Sequence, residues 1–301
     1  MRSKGDVMSF FDKYREKNDG SLRYYDLKTP GIKFQAVLIF LICIAFLIIA
    51  LFPMVWAVLS SFKGIAEFNN STKLLPQQFD FDGWVETWNN LGFAKNYVNS
   101  FISVAGGVVC AVVFNGLLAY VLGVLRPRGS KFIFMLVMWS MLIPPTTSFV
   151  ALFLNIKRVG LTGSFVPLWL SMGANAFWVI LFKQFFEGLP RDYIEAAQLD
   201  GCSPLGIFAK IILPLSKPII VVVAIFAVTA AWSDFLLPFL LLGGSAKETV
   251  MVRLFAFRTN IRCTDVDILR AVVYAIIPPA IIFALFQKQI TEGVAAGGIK
   301  G

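Results

Sequence analysis

Long apolar runs alternate with short polar segments, marked by proline and glycine, along most of the chain. No charge interrupts the run from Phe34 to Phe62. A helix rises about 1.5 Å per residue, and about 20 apolar residues cross the hydrocarbon core of a bilayer. This run therefore predicts a long membrane span, kinked at Pro53. The same reading gives spans over Asn99–Leu125, Lys131–Ile156, Ser164–Phe186, Ile211–Leu242 and Arg270–Phe286. Between them lie polar connections. Lys63–Val98 holds Trp84, Trp88 and Phe93, residue types expected at a membrane interface. Arg126–Lys131 is a basic turn, 188–210 is polar, and Gly243–Leu269 is Arg-rich. The pattern predicts an all-α polytopic membrane protein with six transmembrane helices. Its parts are a polar tail (1–33), a first span with an outer loop (34–94), a core of five spans (95–286) and a Gly-rich tail (287–301).

Several spans carry features that plain apolar helices lack. In the second, Gly107, Ala111, Asn115, Ala119 and Gly123 recur every four residues. Small residues at that spacing let helices approach closely in lipid. Four residues exceed one turn, so the stripe drifts by about 40° per step and is expected to meet more than one neighbour. Pro144 and Pro145 break the third span and free backbone carbonyls, which Thr146, Thr147 and Ser148 can satisfy. The fourth has a small, polar middle ending at Asn175. The fifth holds Trp232, Ser233 and Asp234, and Asp234 is the only acidic residue within an apolar run. A charge at membrane depth normally faces protein or water. Asn115, Pro144, Asn175, Trp232, Ser233 and Asp234 are thus candidates for a pathway or gate. For each, ordinary helix packing or kink repair is the competing reading.

The most punctuated polar stretch runs from Leu189 to Pro214. Pro190 suits a first helical position. Gly201 suits the left-handed position just past a helix end. Ser203 offers a cap oxygen, and Pro204 opens a second short helix. Ala196 and Ala197 are expected to keep one flank small for a close partner, with Glu195 adding a charge there. The stretch predicts a compact helix-turn-helix knob at a membrane surface.

Composition agrees with a membrane protein: 57 % of residues are hydrophobic and 15 % charged, against about 25 % charged in soluble domains. There is no histidine, which removes the usual general base and the commonest metal ligand. Cys43, Cys110, Cys202 and Cys263 are scattered without a CxxC pair, so neither a zinc site nor a disulfide framework is expected. The net charge of +9 fits basic loops beside anionic lipid better than nucleic-acid binding. The first 33 residues lack the pattern of a cleavable signal peptide. Six spans put both termini on one side. If that side is cytoplasmic it holds seventeen Lys and Arg against ten outside, the bias of the positive-inside rule. Lys247, Arg253, Arg258, Arg262 and Arg270 weaken it and are expected to contact an outer partner rather than lipid.

The order Glu195-Ala196-Ala197, Asp200-Gly201, Leu213-Pro214 resembles the coupling loop of ABC importer inner-membrane permeases. Other segments resemble the carbohydrate-uptake branch of that family: Asn99-Ser100, Ile143-Pro144, Phe182-Lys183-Gln184-Phe185-Phe186 and Leu189-Pro190. Trp232-Ser233-Asp234-Phe235 has Ser233 where Asn is usual. The ending from Phe286-Gln287-Lys288-Gln289 to Gly298-Ile299-Lys300-Gly301 is also similar, with Gln289 departing from the common aromatic. Cys202 stands where Ala is common. The resemblance covers roughly 34–301 and is closest to the smaller membrane subunits of maltose-type importers.

The resemblance implies a bacterial inner-membrane permease subunit with both termini cytoplasmic. Its coupling loop (188–210) joins spans four and five and docks on an ATPase through Glu195, Ala196, Ala197, Asp200, Gly201, Leu213 and Pro214. Gly298, Lys300 and Gly301 are a second ATPase contact by the same resemblance. The implied partners are a second permease subunit, two ATPase subunits, an extracytoplasmic sugar-binding protein, a sugar substrate and membrane lipid. The chain has no phosphate-cradling GxxxxGK[ST], so no cofactor is expected in it, and ATP with Mg belongs to the partner ATPase. The implied activity is ATP-driven sugar import by alternating access, not enzymatic catalysis. Rival readings are a permease of the same architecture for a non-sugar solute, a membrane-embedded enzyme and an autonomous channel.

Overall fold

The computed structural model describes the backbone of residues 30–259 and 263–298. The expectations made for residues 1–29 and for Arg262, Lys300 and Gly301 fall outside them. Among the described residues there is no strand. The chain divides into two compact units between Leu59 and Ser60. The first is formed by α1 (Pro30–Ser61), which runs slightly past the boundary and carries Pro53 inside.

The second unit opens with α2 (Ile65–Asn70) and α3 (Phe81–Leu91). The sequence pattern suggested only a polar loop here. Asp80 caps α3 by accepting from the Gly83 amide, and Gly92, at φ +62, both ends α3 and begins α4. Left-handed backbone is the conformation glycine adopts freely. α4 (Phe93–Tyr120) starts six residues earlier than the span expected from Asn99, and a π turn (Val121–Leu125) extends it. All five small residues of the predicted stripe are buried. A Cβ on Gly107 would sit 3.3 Å from Met172 and 3.7 Å from Ala231, and one on Gly123 would sit 3.2 Å from Lys183. The drifting stripe therefore meets three different elements, and α4 is the axis of the unit.

Three expected spans are not continuous. The third is α5 (Ser130–Ser140) and α6 (Phe149–Arg158), joined by a 3-10 turn (Pro145–Ser148) and bent by 94°. Two consecutive prolines remove two helical donors there. The carbonyls that accept from the Thr147 and Ser148 hydroxyls, at 2.7 and 2.9 Å, are those of Pro144 and Pro145 themselves, whereas the Ser140 carbonyl, four residues before Pro144, accepts from the Ile143 amide at 3.3 Å. The fourth is α7 (Val166–Met172) and α8 (Ala176–Glu187), bent by 47°. After α9 (Asp192–Leu199) comes α10 (Pro204–Ile207), continued by a π turn (Phe208–Ile212) and a helical turn (Leu213–Leu215). α11 (Lys217–Ser233) follows at 84°. The expected fifth span thus loses its first six residues to this elbow. It also stops early: α11 ends at Ser233, and α12 (Leu236–Leu242) starts anew.

The Arg-rich loop holds α13 (Val250–Arg258), whose Val250, Val252 and Phe257 are buried. α14 (Asp265–Gly298) begins five residues before the expected sixth span and carries Pro278 and Pro279. Among the described residues, three helices are long and apolar enough to cross a membrane, and each of three bent pairs passes the same test as a unit.

Beside the N-terminal end of α4, polar ties hold α3, α13 and α14. Arg270 is 5 % exposed. It pairs with Asp80 and with Asp267 at 3.1 Å, and donates to the carbonyls of Ser61 and Lys63 at 3.0 and 3.2 Å. A Cβ on Gly83 would lie 2.4 Å from it, so that glycine makes room for the ion pair. Asn99 donates to the Glu248 carbonyl at 3.0 Å, and the Ser100 hydroxyl accepts from the Val250 amide at 2.9 Å. Arg253 donates to the Leu91 carbonyl at 2.9 Å. The expectation that Arg253 and Arg270 face an outer partner is thus corrected: both hold the chain to itself. A lone charge in the core is costly, and pairing plus full hydrogen bonding offsets that cost. Trp84 and Trp88 pack on Tyr274 with ring centroids 4.8 and 5.0 Å apart, and Phe93 is fully buried. These aromatics form a cluster in which Trp84 and Trp88 are half-buried.

Candidate functional site

The segment from Leu189 to Ser216 lies beside the C-terminal end of α4. Its first helix starts at Asp192 with Arg191 at the cap position, two residues later than Pro190 suggested. Its end follows the spacing argument. Gly201 sits at φ +77. The Gly201 amide donates to the Gln198 carbonyl and the Cys202 amide to the Ala197 carbonyl, both at 3.0 Å. This pair of bonds is the Schellman arrangement, which satisfies carbonyls left over at a helix end. Ser203 then caps α10 by accepting from the Gly206 amide at 3.2 Å, with Pro204 at the first helical position.

The segment has two faces. Ile194 and Ala197, three residues apart in α9, are buried against the bundle with Ile207, Phe208 and Ile212. Glu195, Ala196 and Asp200 face outward. The expectation that Ala196 and Ala197 share one flank is corrected: a 3.6-residue turn puts neighbours about 100° apart. Ala197 is small because it lies against the bundle. The outward face holds apolar residues that the motif did not flag. Leu199 is 89 % exposed, Leu205 66 % and Tyr193 56 %. The available signal was a leucine at the end of a short polar helix, off the line of Ile194 and Ala197.

The base of the segment is tied to α4. The Tyr120 hydroxyl donates to the Pro204 carbonyl at 3.1 Å, and its ring lies 5.3 Å from that of Phe208. Gly116 faces Phe208, where an added Cβ would be 3.6 Å from the ring. Between α9 and the end of α4 is a cleft of about 180 Å³ lined by Arg126, Glu187, Arg191 and Glu195 among others. Leu213 and Pro214 stand at the elbow just before Ser216. The Ser216 hydroxyl is buried there without a hydrogen-bond partner among the described residues.

The candidate pathway residues do not form one cluster. Asn115 is fully buried and donates to the carbonyls of Ala111 and Met172 at 2.7 and 2.9 Å. Its oxygen accepts from the Asn175 amide at 2.9 Å, and the Asn175 side chain caps α8 through the Trp178 amide at 3.1 Å. The two asparagines thus bridge α4 to the break between α7 and α8. Trp232 is buried and donates to the Ala275 carbonyl at 3.1 Å. The Ser233 hydroxyl bonds back to Thr229 at 2.8 Å. Asp234 ends α11, with its carboxylate against the backbone amides of Leu236 and Leu237. It therefore sits at a helix break, not mid-span. Pro144 lies at the distant third-span bend. No group of metal-ligating side chains is found among the described residues.

Comparison with known proteins places this arrangement. The family model for the binding-protein-dependent transport system inner membrane component matches residues 115–293, more than half of the chain and the whole two-faced segment. The galactooligosaccharides transport system permease protein GanQ of Bacillus subtilis is 31% identical over 265 residues, covering 84% of this chain and 92% of that one. The diacetylchitobiose uptake system permease protein NgcG of Streptomyces coelicolor is 28% identical over 255 residues, covering 83% and 84%. A chain of a bacterial ABC transporter involved in import of the acidic polysaccharide alginate superimposes with a TM-score of 0.78 at 22% identity. That superposition covers 86% of this chain and 98% of the other. Family match and relatives agree with the helical membrane architecture: the chain belongs to the binding-protein-dependent transport system inner membrane components, as an ABC permease subunit rather than an enzyme.

Proposed function

We propose that this chain is the permease subunit of an ATP-driven, binding-protein-dependent importer of sugars, most fittingly oligosaccharides. The named substrates of GanQ and NgcG support the solute class. Six spans, counting each bent pair as one, and the eight Lys and Arg of the N-terminal tail support a cytoplasmic position for the two-faced segment. There it docks on an ATPase subunit. The observation that carries this reading is Leu199, a large apolar side chain 89 % exposed on a helix whose opposite face is locked into the bundle. Exposed apolar side chains grouped on one face mark interaction sites. Glu195, Ala196, Asp200 and Gly201 complete the docking face. Leu213 and Pro214 form the elbow that passes its motion to α11. Gly298, Lys300 and Gly301 provide a second ATPase contact.

The remaining partners are a second permease subunit, a second copy of the ATPase and an extracytoplasmic sugar-binding protein. ATP and Mg act in the ATPase pair. ATP binding closes that pair and moves the docked segment, and the bundle opens outward to take sugar from the binding protein. Hydrolysis resets it. Asn115, Asn175, Trp232, Ser233 and Asp234 border the helix breaks that rearrange, and Pro144 does so at the third-span bend.

Affinity purification of this chain in mild detergent, followed by mass spectrometry, tests the assembly. Co-purification of a second permease and an ATPase is expected, with the ATPase lost on Leu199→Ser. A chain recovered alone would overturn the proposed assembly. Uptake of labelled galactooligosaccharide against labelled amino acids by membranes containing the complex separates sugar from other solutes.

A further inference from the structure

A second cavity, about 520 Å³, opens where α4, α5 and α8 converge. Its walls include Arg126, Ser130, Lys131, Phe134, Lys183 and Glu187. Glu187 is shared by two cations: its Oε1 is 2.8 Å from Arg126 Nη2 and 2.9 Å from Lys183 Nζ. Lys183 also lies over the Phe134 ring, 4.4 Å from its centroid. Lys131 has no ion-pair partner among the described residues. One carboxylate thus faces three basic groups, and the cavity keeps an excess of positive charge. Ser130 and Lys131 are the first two residues of α5, whose N-terminal amides add partial positive charge. Along α5 from this mouth, in line with Lys131 and Phe134, Met138 is 49 % exposed and Met141, just past the helix end, 51 %.

We infer that this cavity binds the phosphate of an anionic phospholipid, with the acyl chains lying along the exposed apolar face of α5. The chemistry required is one phosphodiester bearing a single negative charge beside apolar chains. The cavity offers both halves: a cationic mouth and an adjoining apolar helix in a membrane protein. Basic pockets between spans at the membrane surface are suited to such headgroups. A free phosphate would use the cations alone and leave the α5 face without a role.

The test uses the complete transporter complex, reconstituted in vesicles of mixed phosphatidylcholine and phosphatidylglycerol. Native mass spectrometry reads the lipid each complex retains. Preferential retention of phosphatidylglycerol is expected. Lys131→Gln should weaken it about fivefold and Lys131→Gln with Lys183→Gln about 25-fold, one such factor per basic group. Lys157→Gln, on α6 and away from the cavity, should leave it unchanged. Equal retention of both lipids, no loss with Lys131→Gln, or an equal loss with Lys157→Gln would overturn the inference. So would displacement of the lipid by excess inorganic phosphate, which would make the cavity a site for the free ion.

Discussion

The two ends of α4 are held in opposite ways. Around its N-terminal end, a buried guanidinium, three polar side chains from α4 itself and an aromatic cluster bind four separate pieces of chain. At its C-terminal end, one tyrosine hydroxyl, a ring contact and an apolar layer hold the two-faced segment. The first is over-determined, because removing any one tie leaves others in the same geometry. The second is held by shape with few directional bonds. On the coupling proposed above, one end stays fixed so that a push at the other becomes motion.

Replacing Arg270 with Met should have the largest effect on the fixed end. It leaves the Asp80 and Asp267 carboxylates and two carbonyls without their shared donor, a loss of about 3 kcal/mol. Thermal unfolding of the purified complex should show it, and unchanged stability would mean the network is ornamental. Gly201→Val acts on the other end. No atom lies within 4 Å of a Cβ built there, so its cost is backbone strain, about 2 kcal/mol, confined to the turn. Transport should collapse at normal abundance and unchanged membrane insertion; normal transport would falsify the lever assignment. Asn115→Leu lies between the two ends. It strands the Met172 carbonyl and the Asn175 amide, at a cost of about 1–2 kcal/mol, and should loosen protection of the α7–α8 break in hydrogen exchange. Tyr120→Phe keeps the ring and deletes one bond to Pro204, worth about 1 kcal/mol or less. Slower transport at unchanged ATP hydrolysis is expected, whereas equal losses in both would place Tyr120 with folding rather than with coupling.

The residues legible in the sequence were those whose chemistry is local. Gly201, Ser203 and Pro204 act within a few positions of themselves, so spacing alone predicts their roles. The hydroxyls beside Pro144 and Pro145 repair their own turn, and the drifting stripe of α4 follows from helix geometry. Arg270 was misread because its partners Asp80 and Ser61 are about 190 and 209 positions away. Sequence shows an arginine but not what folds back to neutralise it. Ala197 was misassigned because motif membership says nothing about facing, which burial decides. The buried face of α13 was hidden by surrounding arginines. Leu199 gives only a weak local signal, because a leucine in a short helix reads as core until the fold shows it off the line of Ile194 and Ala197.

The two π turns carry one further consequence. One lies at the end of α4 and the other in the two-faced segment, and Tyr120 against Phe208 joins them. A π turn stores one residue beyond the α-helical register. Releasing the residue stored in the two-faced segment would rotate the helical turn beyond it, Leu213–Leu215, by about 100° and advance it by about 1.5 Å, whereas the π turn of α4 ends at Arg126 and stays as the fixed side of that contact. On the coupling proposed above, the elbow at Leu213 and Pro214 thus holds one screw thread, able to convert a short thrust into a turn.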